Sequence, residues 1–147
     1  MRINAFSDVC LRVVMVLSAA PENVTVTSRV VAAEVGTPYN HVSKALVRLR
    51  ELGLVEAIRG RSGGVRISAR GRAVTVGALL RTLDTRTDLA ACDTINGPCP
   101  LLSGCGLRGA LRRAKEAFYR ELDDLVISSL THEKPNGPIL VELGLVR

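Results

Sequence analysis

The hydrophobic period of this chain changes at Gly53, and few folds accommodate that change in so short a space. Before Gly53, Val42, Ala45, Leu46, Leu49 and Leu52 recur every three or four residues, which marks one buried face of a helix. After it, Leu54-Val55-Glu56-Ala57-Ile58 and Val65-Arg66-Ile67-Ser68 alternate as strands do. Arg59-Gly60-Arg61-Ser62-Gly63-Gly64 between them is made of turn formers. A helix running directly into a β-hairpin is therefore expected. Upstream, Thr27 can cap a shorter helix with Val30, Val31 and Val35 on its inner side, and Gly36 stops it. Thr37-Pro38 then restarts the chain, with Thr as N-cap and Pro as the first helical residue. Two helices joined across a short glycine-containing turn form a helix-turn-helix, and the hairpin that follows makes it a winged helix.

The charge of this half points to a polyanion. The net charge is +6, and all of the excess lies in residues 1–75, where 11 Lys/Arg face 5 Asp/Glu; residues 76–147 balance at 9 and 9. Arg59, Arg61, Arg66, Arg70 and Arg72 fall in one stretch that contains no acid. On the longer helix, Asn40, Lys44 and Val47 point away from the apolar face, with His41, Ser43 and Arg48 on its flanks and Tyr39 at its start. Asn40 can pair with an adenine in the major groove, and Lys44 or Arg48 with a guanine or a phosphate. Arg59, Arg61 and Arg66 on the hairpin suit phosphates or a narrow minor groove. Double-stranded DNA is the expected partner.

Residues 3–20 read as a first helix with Phe6, Cys10, Val13, Val14 and Leu17 on one apolar stripe. Cys10 in that stripe reads as a small buried hydrophobe. Asp8 shares a second face with Leu11 and Met15, where it can be a solvated first-turn acid or a ligand. The chain lacks an apolar run long enough to span a membrane and a secretory signal is not apparent, so a cytoplasmic protein with reduced thiols is expected.

The second half is organised around ACDTINGPCPLLSGCG, which holds Cys92, Cys99 and Cys105 and is broken by Gly97, Pro98, Pro100, Gly104 and Gly106. Such punctuation predicts an irregular loop without helix or strand. A helix over residues 74–83 leads into it through Asp84 and Asp88. After it, Leu107, Leu111, Ala114, Phe118, Leu122 and Leu125 predict a long helix to about residue 130, with a near-heptad stripe suited to a homodimer. The tail from Glu133 carries no assigned role. Three thiols on one loop fit an iron–sulfur cluster, a zinc ion with His132 as fourth ligand, or structural or redox thiols. For a cluster the fourth ligand could be Asp8, Cys10, a His or a small molecule. Catalytic carboxylate pairs and nucleophile–base sets are not evident, so an enzyme is not expected.

The opening helix with Asp8, the segment VGTPYNHVSKALVRLRELGLVEAIRGRSGGVRIS and the three-cysteine loop followed by a long helix together resemble the Rrf family of winged-helix iron–sulfur transcription regulators. The similarity is greatest to its nitric-oxide-sensing repressors from actinobacteria. The resemblance implies a cytoplasmic homodimeric repressor bound to a near-palindromic operator. It implies a 4Fe–4S cluster in each subunit, ligated by Cys92, Cys99, Cys105 and Asp8, with Asp8 supplied by the other subunit's first helix. The six-residue gap between Cys92 and Cys99 is long for that family, which leaves a 2Fe–2S cluster, and Cys10 as a ligand, as alternatives. A sensor of cluster supply, iron or redox state is the nearest other function, and a zinc-stabilised or metal-free DNA-binding module the next. The fold expected is mainly α: a winged helix-turn-helix domain with a two-stranded wing over residues 1–75, then a cluster-binding loop and dimerisation helix over residues 76–147.

Overall fold

A computed structural model of the chain describes residues 2–86, 88–94 and 97–131. Helix α1 (Ala5–Ala19) starts where Asn4 accepts a hydrogen bond from the backbone N–H of Ser7 at 2.7 Å and ends before Pro21. Its inner stripe of Cys10, Val13, Val14 and Leu17 is almost wholly buried. Phe6, expected on that stripe, is 39% exposed, and Ser7 is buried in its place. The inward face thus steps back from Cys10 by three residues rather than four.

Helix α2 (Ser28–Val35) is capped by the Thr27 side chain and stopped by Gly36, whose φ of 65° is the left-handed conformation that glycine adopts without strain. Helix α3 (Tyr39–Glu51) follows as expected, but its N-cap is Pro38, without a side-chain cap; Thr37 does not take that role. Val42, Ala45, Leu46 and Leu49 are buried against α1 and α2. The wing consists of β1 (Val55–Ile58) and β2 (Gly64–Ile67), antiparallel, in a register running from Val55↔Ile67 to Ile58↔Gly64. Val26, just before α2, joins its edge through two backbone hydrogen bonds with Val65, each 2.8 Å. A Cβ on Gly64 would stand 2.6 Å from the Val26 carbonyl oxygen, so that junction needs glycine.

The winged-helix expectation is borne out, and the structure adds to it. Helix α4 (Ala69–Ala73), capped by Ser68, was not anticipated. It carries Arg72 back to α1, where the guanidinium donates to the carbonyl oxygens of Ser18 and Ala20 at 3.3 and 3.0 Å. Helix α5 (Val76–Leu83) is capped by Thr75. Helix α6 (Gly106–Glu121) ends well before residue 130. The chain turns there because the first N–H groups of α5 need acceptors: Gly77 and Val76 donate to the carbonyls of Leu122 and Leu125 at 2.9 and 2.8 Å. A 3-10 helix (Ile127–Thr131) then buries Ile127 completely in the core around α1. The expected tail from Glu133 lies outside the described residues.

A polar network fixes α5 and the chain just beyond it to α6. Arg81 makes a bidentate pair with Asp123 at 3.0 Å and reaches Glu116 at 3.2 Å. Asp84 takes a hydrogen bond from the Tyr119 hydroxyl and pairs with Lys115 at 2.7 Å, while Lys115 also donates to the Arg86 carbonyl. Burial alone would raise the Asp84 carboxyl, but the hydrogen bonds from Lys115 and Tyr119 outweigh it and hold the group down at about 2. Burial and the same carboxylate push the Tyr119 phenol up.

Two outcomes follow from this junction. A depressed carboxyl stabilises the fold above its unfolded value of about 3.9 and loses that contribution as pH falls towards about 2. The difference in thermal midpoint between the unmodified chain and Asp84→Asn should therefore be constant near neutrality and shrink below about pH 4. At Gly77 a Cβ would lie 2.5 Å from the Tyr119 carbonyl and 2.8 Å from the Asp123 N. Gly77→Ala should cost about 1–3 kcal/mol in chemical denaturation by forcing α5 off α6.

Candidate DNA interface and cysteine loop

The outer face of α3 is wet as the sequence predicts. Tyr39, Asn40, His41 and Lys44 are exposed, Ser43 and Arg48 half-buried, and Arg48 pairs with Glu51 at 3.1 Å. Arg59 and Arg61 are exposed at the tip of the wing, in the turn after β1. Arg66 sits on the flank of β2 and pairs with Glu56 across the hairpin at 2.8 Å, since the two residues are direct register partners. The Thr25 hydroxyl donates to the Ser62 carbonyl at 2.8 Å and ties the tip to the segment before α2. The reading helix and the cationic tip thus belong to one hydrogen-bonded frame.

The cysteine loop is more ordered than its glycines and prolines predict. Two short strands, β3 (Asp93–Thr94) and β4 (Gly97–Pro98), pair antiparallel within it. The ladder extends outward by one step, because the Cys99 N–H donates to the Cys92 carbonyl at 2.8 Å. Cys92 and Cys99 therefore stand opposite each other at the open end of a small hairpin. Gly97, with a φ of 105°, supplies the conformation that this tight reversal requires. Cys105 is the N-cap of α6, its Sγ accepting from the Arg108 N–H at 3.4 Å.

All four cysteines are free thiols. Burial is the main cause that raises the Cys92 thiol; Asp88, Cys99 and Cys105 add to it, and Arg108 opposes it. Among the described residues, three or more His, Cys, Asp or Glu side chains do not converge as a site for a single metal ion. His132, the ligand considered for a zinc site, lies outside the described residues. Cys10 is wholly buried in the core, and burial pushes its thiol up to about 12 against the opposing pull of Arg48. Asp8 is half-exposed on the outer side of α1, held by Arg12 at 2.9 and 3.1 Å.

Sequence reasoning missed what anchors the loop. Arg108, three residues past Cys105, forms a bidentate pair with Asp88 at 2.8 and 3.0 Å and so joins α6 to the segment before the hairpin. Arg108 holds the Asp88 carboxyl below its ordinary range. The available signal was the pair of acids, Asp84 and Asp88, that precede the loop facing the cations of α6. A cavity of about 440 Å³ opens beside this anchor, between Ile3 and Asn4 at the start of α1 and Leu89, Leu111 and Phe118. The apolar stripe that runs along α6 and past its end is only partly covered: Leu107 is 65% exposed and Leu125, beyond the helix, 41%, while Leu111, Phe118 and Leu122 are half-buried; Tyr119, off that stripe, is the buried residue of α6. No helix among the described residues is long and apolar enough to cross a membrane.

Comparison with known proteins gives this arrangement a family. The family model described as "Rrf2: Iron-dependent Transcriptional regulator" matches residues 3–133. The chain is 44% identical to the HTH-type transcriptional repressor NsrR of Streptomyces coelicolor, over 97% of this chain and 96% of that protein. It is 33% identical to the HTH-type transcriptional regulator NsrR of Geobacillus kaustophilus, over 91% and 92%. Among solved structures, the global cysteine regulator CymR of B. subtilis superposes with a TM-score of 0.69 at 20% identity, covering 90% of this chain and 98% of that one. IscR of T. potens gives 0.68 at 16% identity, covering 90% and 88%. The fold is thus shared well beyond recognisable sequence. These relatives are transcription regulators rather than enzymes, and the chain belongs to the Rrf2 family of winged-helix transcriptional regulators.

Proposed function

We propose that the protein is a nitric-oxide-sensing repressor, a homodimer that binds a near-palindromic DNA operator and holds one 4Fe–4S cluster per subunit. The ligands would be Cys92, Cys99, Cys105 and Asp8, with Asp8 contributed by the other subunit's α1. The observation that carries this reading is the loop itself. Its hairpin sets Cys92 against Cys99 by a backbone hydrogen bond, and the third thiol caps the helix that follows. Free thiols on one loop, buried or half-buried, suit a group that takes thiolate ligands. Cys10 suits it poorly, because its thiol is sealed in the core. Nitric oxide is the signal that similarity to NsrR implies; when bound, the cluster supplies iron to which nitric oxide can bind.

The chain's own residues define what such a signal can move. Asp84, Arg86 and Asp88 are each tied to α6, which gives the chain leading into the loop three fixed points. Beyond Asp88, β3 and β4 pair over two residues each, and the Cys99 N–H to Cys92 carbonyl bond continues that ladder. Asp8 lies on the surface of the helix whose other face packs on α3, so a pull on the carboxylate is applied directly to the support of the reading helix. The partly covered α6 stripe gives the dimer an apolar seam. Two-fold symmetry then sets the reading helices about 34 Å apart, on successive major grooves. Tyr39, Asn40, His41, Ser43, Lys44 and Arg48 would read or position the major groove, and Arg59, Arg61 and Arg66 would serve the wing.

The anaerobically purified chain should be brown, with about four irons and four sulfides per subunit. Its visible absorption should bleach with nitric oxide as operator binding is lost. A brown protein that ignores nitric oxide but answers iron or oxidants would keep the cluster and replace the signal. A colourless zinc protein that resists reconstitution would remove the cluster from the account. Cys99→Ser should abolish the colour, while Asp8→Ala should change the rate of the nitric oxide reaction; an unaltered rate and unaltered DNA release would exclude Asp8 as a ligand. At the DNA, Lys44→Ala should cost about 1–3 kcal/mol on the operator and relax preference at one base pair. Arg61→Ala should instead weaken binding to all duplexes and flatten the salt dependence. Titrations on operator and scrambled duplex separate the two effects.

A further inference from the structure

Arg29 is the second residue of α2 and lies outside both the wing and the reading helix. Its guanidinium carbon stands 5.3 Å from the centroid of the Tyr39 ring. Tyr39 is the first residue of α3 and remains 48% exposed under this stack. Arg29 is itself exposed, and among the described residues it has no carboxylate partner. Several other arginines of this half are committed within the chain: Arg12 to Asp8, Arg48 to Glu51, Arg66 to Glu56 and Arg72 to the end of α1.

A cation stacked on an aromatic face retains its charge and its outward N–H groups while losing much of its rotational freedom. In a helix-turn-helix the first helix crosses the DNA backbone and the second enters the groove by its N-terminal residues. Arg29 is on that first helix, and the ring that steadies it begins the second. We infer that Arg29 is a DNA-positioning residue: stacked on Tyr39, it clamps a backbone phosphate at the edge of the major groove and sets the depth at which Asn40 and Lys44 enter. The inference rests on the DNA-binding reading and extends it to a residue outside the reading face. Tyr39 then acts through Arg29 as well as at the DNA. A phosphate clamp is indifferent to sequence, so it can be tested without knowing the operator.

The experiment is fluorescence anisotropy of the full-length protein on a labelled duplex of arbitrary sequence, across a salt series, with thermal unfolding measured on every variant. Arg29→Gln should weaken binding several-fold, equally on any duplex, and lower the slope of log K against log salt by about one. Arg29→Lys should restore the slope but only part of the affinity, because an ammonium cannot stack as a planar fork does. Tyr39→Leu should weaken binding in the unmodified chain and have a smaller effect in the Arg29→Gln background. An unchanged slope in Arg29→Gln overturns the clamp, and a lower thermal midpoint with that slope shows that Arg29 merely covers the ring. Altered sequence preference without a slope change also overturns it, by making Arg29 a base reader. If the unmodified chain binds no duplex at all, the DNA-binding reading itself falls, which is distinguishable from failure of Arg29 alone.

Discussion

The structure depends on one helix being buried along its length. Cys10, Val13, Val14 and Leu17 of α1 are excluded from solvent, and other elements arrange themselves around that stripe. The faces of α2 and α3 close on it from one side, while α4, α5 and the 3-10 helix pack against it elsewhere. Each of its large side chains stabilises the fold by roughly 1.5–3 kcal/mol through burial alone. Arg72 seals its C-terminal end by donating to carbonyls that have no partner inside the helix. The proposed reading helix thus has its outer face free for DNA and its inner face packed on α1. A displacement of α1 cannot be absorbed in a close-packed core without moving α3.

In the proposed sensor, that arrangement gives a cysteine loop far from the wing in the chain a route by which to bear on it. The loop is anchored at both sides to α6, through Asp84 and Asp88 before it and through Cys105 after it. These contacts hold the chain on both sides of the hairpin to a single helix. The Arg108–Asp88 pair is half-buried and bidentate, which makes it a better fixed point than the exposed i,i+4 pair of Arg12 with Asp8. A carboxylate held by a weak surface pair can exchange partners at small cost, whereas the anchor cannot.

The winged helix was legible because its signals are local. A change of period at Gly53, caps at Thr27 and Gly36, and a glycine-rich turn between alternating strands can each be read within a few residues. The failures required tertiary information. Phe6 and Ser7 differ by one step around α1, and only the packing of neighbours decides which turns inward. The apolar spacing of α6 continues through Leu122 and Leu125, yet the helix stops because the start of α5 competes for its carbonyls. The hairpin inside the cysteine loop was hidden by proline and glycine, which in two-residue strands are no obstacle. Cys10 was read correctly as a buried hydrophobe, since its position on the stripe was itself a local pattern.

Composition alone overstates how much positive charge faces a nucleic acid. The excess of +6 sits in residues 1–75, but geometry sorts those cations into two groups. Arg12, Arg48 and Arg66 are paired with carboxylates, and Arg72 is built into the end of α1. Arg59 and Arg61 stand exposed at the wing tip, Lys44 on the reading helix and Arg29 against Tyr39, and Arg2, Arg50 and Arg70 are exposed as well. Paired arginines are not lost to DNA, because a phosphate can compete for an exposed guanidinium, but each such exchange gives up an existing contact. Affinity should therefore come mainly from the exposed group, of which Arg29, Lys44, Arg59 and Arg61 lie at the wing and around the start of α3. A footprint drawn from these few points is narrow, and a narrow footprint on one chain gives weak discrimination until a second copy doubles it. In the proposed homodimer the partly covered apolar stripe along α6 would provide the surface for that second copy, so the charge pattern of the first half and the hydrophobic pattern of the second would answer the same physical need.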